Sequence, residues 1–238
     1  MTVTPKHSKS DVLHYLRHAI LTQKLAPGAD LDEATLSETW GLSRTPLRDV
    51  LRQLAGEGYL DIRKNRGARV SEMSHRTLRD FFLAAPMIYG AVLRLAAQNA
   101  QDLQIGALKD AQRAFKAALR GGDIAARALA NNHFHEITGT MAGNIYLLPS
   151  FQRLLIDHAR ISMTFFRPQD SEMAENLTLA SQQHDAIIAA IEAGDEDAAA
   201  ALAVEHWNLS RGRIEQFVMP SGLDLQLGAA TSPKVRTL

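Results

Sequence analysis

Apolar residues recur with the spacing of an α-helix in three short stretches near the start of the chain. The first stretch predicts a helix of about 15 residues that ends before the turn-forming pair Pro27-Gly28. Asp32 is a good N-cap for a second, short helix, and Gly41 can end it in the left-handed conformation that a β-carbon disfavours. Ser43 can cap a third helix. The apolar positions are Val12, Leu13, Leu16 and Ile20, then Leu36 and Trp40, then Leu47, Val50, Leu51 and Leu54.

The third helix is followed by a short region with the pattern of a β-hairpin. Gly56 and Gly58 end the helix, and residues 59–64 and 68–70 then predict two short strands around a turn at 65–67. Helix, helix, tight turn, helix and hairpin follow one another within about 65 residues, which is the length of a winged helix-turn-helix. We therefore expect this module over residues 8–74.

The rest of the chain consists of alanine- and leucine-rich helical segments without a strand pattern. Turn-forming residues at 121–123, 143–144, 168–171 and 194–195 divide it into about six helices. After Phe217 the periodicity is lost, and Pro, Gly, Ser and Thr become frequent. The predicted fold class is therefore mainly α, with an N-terminal winged helix-turn-helix, an all-α helical bundle over residues 75–218, and a flexible tail over residues 219–238.

Composition narrows the classes of chemistry that the chain can perform. With 46% hydrophobic and 22% charged residues, it has the composition of an average globular protein. The absence of cysteine excludes disulfides, zinc–thiolate sites and thiol catalysis, so metal ligands must be imidazole, carboxylate or amide groups. No apolar run reaches the roughly 20 residues that cross a bilayer, and the N-terminus lacks a secretory signal. We expect a cytoplasmic protein without a membrane partner.

The polar face of the third predicted helix carries three arginines, Arg44, Arg48 and Arg52, spaced four residues apart. In an isolated helix they would form an ordinary solvated face. Here the preceding helices and the basic hairpin favour contact with double-stranded DNA, because a helix fits the major groove and guanidinium groups pair with guanine edges or phosphates. The predicted DNA-binding residues are Ser43, Arg44, Thr45, Arg48, Arg52, Arg66 and Gly67.

These segments resemble the GntR family of transcriptional regulators. The resemblance rests on residues 25–31 (LAPGADL), 42–48 (LSRTPLR), 54–58 (LAGEG) and 66–70 (RGARV). It implies that Arg44, Thr45 and Arg48 contact an operator and that Gly67 marks the tip of the wing. Asp49 stands where the family commonly has glutamate, so the charge is kept.

The helical region resembles the FadR-type subgroup, whose FCD domain dimerises and binds a small effector. Many members bind a divalent metal through one aspartate and three histidines, and the corresponding residues here are Asn131, His135, His184 and His206. Asn131 and His135 are four residues apart and share a helix face. Three neutral imidazoles suit zinc or nickel and leave positions open for an effector carboxylate, while Asn131 in place of aspartate should weaken the site. Pro86 and Gly90 replace an arginine and a glutamate of related proteins.

These observations predict a homodimeric DNA-binding regulator whose operator affinity is modulated by a small metabolite, an organic acid, bound in the helical domain through a divalent metal. A regulator that senses the metal itself, or one that uses the pocket without a metal, remains open. A metal-dependent enzyme with an accessory DNA-binding module is the third alternative. The sequence contains no nucleotide-binding glycine loop, no nucleophile elbow and no evident general base beside the histidines. We therefore expect that the protein is not an enzyme.

Overall fold

The computed structural model describes residues 7–63, 67–165 and 171–218, with side chains described at 7–63, 67–163 and 175–209. The predicted wing residue Arg66 and the predicted tail at 219–238 lie outside this part of the chain. The helices and strands in chain order are α1 (Lys9–Leu21), β1 (Asp30–Leu31), α2 (Glu33–Trp40), α3 (Arg44–Glu57), β2 (Leu60–Arg63), β3 (Gly67–Val70), α4 (His75–Asn99), α5 (Asp102–Gly121), α6 (Ile124–Ala142), α7 (Leu147–Phe165), α8 (Ser171–Glu192) and α9 (Glu196–Val218).

Local sequence signals explain the ends of the first three helices. The Asp32 side chain accepts a hydrogen bond from the Thr35 amide at the start of α2, and Gly41 ends that helix with positive φ. Gly58 ends α3 in the same left-handed conformation. Ser43 occupies the N-cap position of α3, but its side chain makes no capping hydrogen bond. The mainly helical class predicted from the sequence is confirmed, with the helix-turn-helix preceding the helical bundle.

A three-stranded antiparallel sheet forms the wing, with the strand order β1-β3-β2. The sequence predicted β2 and β3 but not β1, which is only two residues long. Arg69 on β3 holds β1 in place, because its guanidinium contacts both carboxylate oxygens of Asp30 at 2.7 and 3.0 Å. Gly67 has φ +76°, and a β-carbon there would lie 2.5 Å from the Leu31 carbonyl oxygen. The close approach of two strands therefore requires this glycine, independently of any contact with DNA.

One apolar core holds the helix-turn-helix together. The buried faces of α1 and α3 pack against the inner face of the small sheet. Leu16, Leu47 and Leu54 are fully buried within it. The charged face of α3 is thereby turned outward, since its apolar positions all contact the core.

Six helices, α4 to α9, form the second unit over the part of the chain described here, in agreement with the predicted number. The long helix α4 is central and packs against α6, α7, α8 and α9. It remains helical through Pro86, and Gly90 faces the backbone of α9, with the Ala200 oxygen 3.9 Å from the position of a β-carbon.

By length and composition alone α4 could cross a membrane, which contradicts the expectation that no segment is long enough. Seven of its residues are buried in the bundle, including Phe81, Tyr89 and Leu93, as expected of a core helix.

Helix α7 joins the two units. Ile156 and Ala159 pack against Leu21 of α1. Arg160 is fully buried, donates to the Ser71 carbonyl oxygen at 2.5 Å, and pairs with Asp157 at 3.0 Å. Ser71 follows the last strand of the wing, so the guanidinium ties α7 to the segment that connects the wing to α4.

Candidate DNA interface and metal centre

The structure displays the arginine face of α3 to solvent. Ser43, Arg44, Thr45, Arg48 and Arg52 are all exposed at the start of the helix or along one side of it. Gly67 is half-buried at the start of β3. A groove of about 420 Å³ runs between the start of α2, α3 and the wing, and Arg44, Arg48, Arg52 and Gly67 line it. Four of the predicted DNA-binding residues thus share one concave surface.

Arg48 is partly engaged within the protein. Its Nε donates to a Glu33 carboxylate oxygen at 2.8 Å, while half of the arginine side chain remains exposed. Neither Arg44 nor Arg52 forms an ion pair with a described residue. An exposed pair of this kind is worth at most about 1 kcal/mol, so a phosphate or a guanine edge can replace Glu33.

The other basic residues near the wing differ in their roles. Arg69 is held by Asp30 and Glu72 and supports the sheet. Arg63 lines the groove beside α3. Of these two arginines, Arg63 is therefore the one placed beside the arginine face of α3.

Three histidines from three helices meet inside the helical unit. His135 on α6, His184 on α8 and His206 on α9 each offer a ring nitrogen, and these atoms all lie within 4.8 Å of one another. The ring centroids are 5.4 Å apart for His135 and His184, 5.4 Å for His135 and His206, and 4.7 Å for His184 and His206. Such a group could hold one metal ion, as the sequence predicted for these three residues.

Two glutamine side chains orient the imidazoles. The Gln112 amide nitrogen donates to the Ser181 carbonyl at 2.8 Å and to Asp185 at 3.0 Å, which directs its oxygen toward Nδ1 of His184 at 3.0 Å. An amide oxygen can only accept, so Nδ1 carries the proton and Nε2 keeps its lone pair. The Gln183 oxygen contacts Nδ1 of His206 at 3.1 Å in the same way. Both contacts match the outer hydrogen bonds that orient metal-binding histidines.

Buried ring nitrogens without a partner support a ligand-binding role. Nε2 of His184 and both ring nitrogens of His135 are buried and make no hydrogen bond. Leaving such atoms unpaired costs about 1 to 3 kcal/mol each. A metal ion would accept the lone pair of His184 Nε2 and of one His135 nitrogen, the other His135 nitrogen carrying the proton, and would remove the cost at those two atoms. The donor set therefore fits the metal that the resemblance implies.

Burial keeps these imidazoles neutral. Desolvation, followed by the neighbouring imidazoles, lowers the pKa of His135 and of His184 well below the usual range. The same causes lower the pKa of His206 to about 3. Neutral imidazole is the form that binds metal, so protons compete little with a metal at neutral pH.

A fourth histidine, His158 on α7, belongs to the same cluster and was missed from the sequence. Its ring centroid lies 5.2 Å from that of His135, and its Nδ1 is 2.7 Å from the Tyr89 hydroxyl. Burial lowers its pKa to about 4. The signal in the sequence is weak, since it consists of one histidine within the largely apolar segment 154–161.

Asn131 is 3% exposed and lies one turn before His135 on α6. The group of convergent metal-binding side chains contains no Asp or Glu among the described residues. His133 lies on the exposed side of α6 near Glu136. Arg94 is at the surface and pairs with Asp197 at 2.6 Å. Neither contributes to the cluster.

Comparison with known proteins identifies both units. Residues 8–70 match the family of bacterial regulatory proteins named gntR, and residues 86–209 match the FCD domain. A probable D-xylose utilization operon transcriptional repressor of Paenarthrobacter nicotinovorans is 30% identical over 80% of this chain and 81% of its own length. The HTH-type transcriptional repressor GlaR of Escherichia coli is 27% identical over 87% and 93%. These relatives are regulators, in agreement with the expectation that the chain is not an enzyme.

Solved structures share the fold. Escherichia coli McbR/YncC is similar with a TM-score of 0.74 at 19% identity, covering 89% of this chain and 98% of that one. A GntR regulator from Rhodococcus sp. RHA1 has a TM-score of 0.66 at 17% identity, covering 87% and 96%. From its N-terminal DNA-binding unit to its helical domain, the chain belongs to the GntR family of bacterial transcriptional regulators, in the FadR-type subgroup that carries an FCD domain.

Proposed function

We propose that this regulator changes its affinity for operator DNA when a small organic acid binds at the histidine cluster through a divalent metal. The observation that carries the proposal is the convergence of three neutral imidazoles, two of which, His135 and His184, have buried ring nitrogens without a hydrogen-bond partner. Zinc or nickel suits this donor set, because imidazole is a common ligand of both and the other coordination positions stay open. When bound, the metal supplies a positive charge that attracts a carboxylate.

The helix-turn-helix, which we assign to residues 8–74, supplies the DNA contacts. Arg44, Arg48 and Arg52 make its base and phosphate contacts. Ser43 and Thr45, at the start of α3, donate hydrogen bonds to oxygens of the DNA backbone. The exposure of all five side chains supports this assignment. The wing, through Arg66 and Gly67, adds a second contact beside the major groove.

Helix α7 couples the histidine cluster to the DNA-binding unit. His158 faces the cluster, and Arg160, two residues later, contacts Ser71 at the connection to the wing. Residues two apart on a helix point in nearly opposite directions, so one helix borders both regions. An effector changes operator affinity only by favouring one arrangement of the two regions, usually by a coupling of about 1 to 3 kcal/mol.

The protein acts as a homodimer in the cytoplasm, where its operator lies. Two DNA-binding units related by a two-fold axis match a two-fold operator. Leu83 and Met87 are 64% and 76% exposed on one side of α4, and this apolar surface of the helical domain, residues 75–218, supports association with a second copy.

An operator titration tests the proposal. DNA selected from a random pool by the protein is titrated at fixed salt with chelator, with zinc alone, and with zinc plus a panel of small carboxylates. We expect operator affinity to change by about 5- to 150-fold when metal and the cognate acid are both present. A full response to zinc alone would make the protein a metal sensor. Identical affinity in every condition would reject effector control through this site.

A further inference from the structure

The histidine cluster is unusual in lacking negative charge. It contains three neutral imidazoles that could hold a metal, and no carboxylate among the described residues joins them. The charge of Lys116 helps to lower the pKa of His184, and Asp185, the residue after His184, pairs with this lysine at 2.7 Å. The protein therefore offers a divalent ion donor atoms but no neutralising charge.

The surroundings of the cluster make this deficit costly. The Phe134 ring stacks on the His184 ring with 3.9 Å between the ring centroids, and the Phe115 centroid lies 4.9 Å from that of His184. Tyr89 packs against His135 at 5.5 Å. An uncompensated charge in such apolar surroundings is strongly disfavoured, unless an opposite charge enters with it.

We propose that a divalent metal and a small carboxylate enter this site as a pair, and that each depends on the other because the protein contributes no negative ligand. This inference rests on the proposed metal binding at the cluster. It adds that the metal alone binds weakly and that the carboxylate alone has no strong cation to contact. The regulator then responds to the acid when the metal is available, rather than to the metal itself.

Asn131 offers a direct way to test the charge deficit. The residue is buried, lies one turn before His135 and shares its helix face. Asn131→Asp changes an amide to a carboxylate of nearly the same volume, so it adds charge without overpacking. Asn208→Asp adds the same charge on the exposed side of α9, two residues after His206, and serves as the matched control.

The experiment measures zinc affinity by competition with a chromogenic chelator, in a buffer without coordinating anions, with and without acetate. We expect acetate to raise the zinc affinity of the wild-type protein and of Asn208→Asp by about tenfold or more. Asn131→Asp should bind zinc at least about tenfold more tightly than wild type without acetate, and acetate should then change its affinity by less than about threefold.

The outcomes separate the two proposals. Tight zinc binding by the wild-type protein without acetate, unchanged by acetate, would overturn the paired-binding inference and leave the metal site intact. No zinc binding by wild type or by Asn131→Asp in any condition would overturn both. If Asn131→Asp fails to fold, as judged by circular dichroism, the acetate dependence of the wild-type protein decides the inference.

Discussion

The DNA-binding face and the histidine cluster hold their ionisable groups in opposite environments. On α3 the arginines are charged, exposed and nearly free of internal partners, so they can exchange water for phosphate or base edges at little cost. In the helical domain the imidazoles are neutral and pack against aromatic rings, and amide oxygens orient two of them, His184 and His206. The first region depends on charge that is always available. The second region has donor atoms in place, but the positive charge that they would bind must come from a metal ion in solution.

The largest expected effect follows from the enclosure of the histidines. The pKa values of His135, His158, His184 and His206 are lowered in the folded protein, so between pH 6.5 and 4 the unfolded chain takes up protons that the folded chain does not. Stability is therefore lost as pH falls below about 6.5. Relative to neutral pH, each of these four histidines should lower the free energy of unfolding at pH 5 by about 2 kcal/mol. Urea denaturation of the metal-free protein measures this.

A matched variant sharpens the acid test. His133 is exposed on the same helix as His135, so His133→Gln should follow the wild-type pH dependence closely. A free energy of unfolding that stays constant from pH 7 to pH 5 would show that the cluster is open to water.

The second prediction concerns the contact between the two regions. Arg160→Met should lower the free energy of unfolding by about 3 kcal/mol, because it leaves Asp157 and the Ser71 carbonyl without their buried partner. The loss lies at the lower end of the usual range, since Arg153 still bonds Asp157 at 3.1 Å. Arg94→Met removes exposed ion pairs with Asp197 and Glu196 and should cost about 1 kcal/mol or less in the same urea titration. Equal losses in the two variants would contradict the role given to Arg160.

The third prediction concerns the exposed face alone. Arg48→Ala should weaken specific operator binding by roughly 1 to 3 kcal/mol while leaving the fold intact. Arg113→Ala removes an exposed arginine from α5, far along the chain from the helix-turn-helix, and should leave operator affinity unchanged. Fluorescence anisotropy at fixed salt compares both variants with wild type. Unchanged affinity for Arg48→Ala would remove Arg48 from the base-reading residues.

The smallest effect is expected at the internal partner of Arg48. Glu33→Gln ends an exposed ion pair, so stability should fall by less than about 1 kcal/mol. Operator affinity should rise by less than tenfold, with a slightly steeper salt dependence, because the face gains net positive charge. Titrations at two salt concentrations measure this. Weaker binding than wild type would instead show that Glu33 holds Arg48 in its reading position.

The regular elements could be predicted from the sequence because they depend on local periodicity and caps. The apolar positions of α3, with Ser43 before it and Gly58 after it, identify that helix and its exposed face. Strand β1 could not be predicted, since two residues carry no pattern and the strand exists through pairing with β3 and the contact of Arg69 with Asp30.

The candidate site shows the same limit. His135, His184 and His206 were identified through a resemblance, whereas His158 and the orienting Gln112 and Gln183 were not. These residues join the site only because α5, α7 and α8 pack around it. A single histidine in an apolar segment has no local signal that distinguishes a ligand-site residue from an ordinary buried one.

Reciprocity provides the most direct test of the account, whose central claim is that the histidine cluster and the DNA-binding face are thermodynamically linked. The measurement is the zinc affinity of the protein in acetate, once free and once saturated with selected operator DNA. Linkage requires the operator to change zinc affinity in acetate by the same factor by which zinc, at the same acetate concentration, changes operator affinity, about 5- to 150-fold. Matching factors are the predicted result, and a zinc affinity that is identical with and without operator would contradict the account.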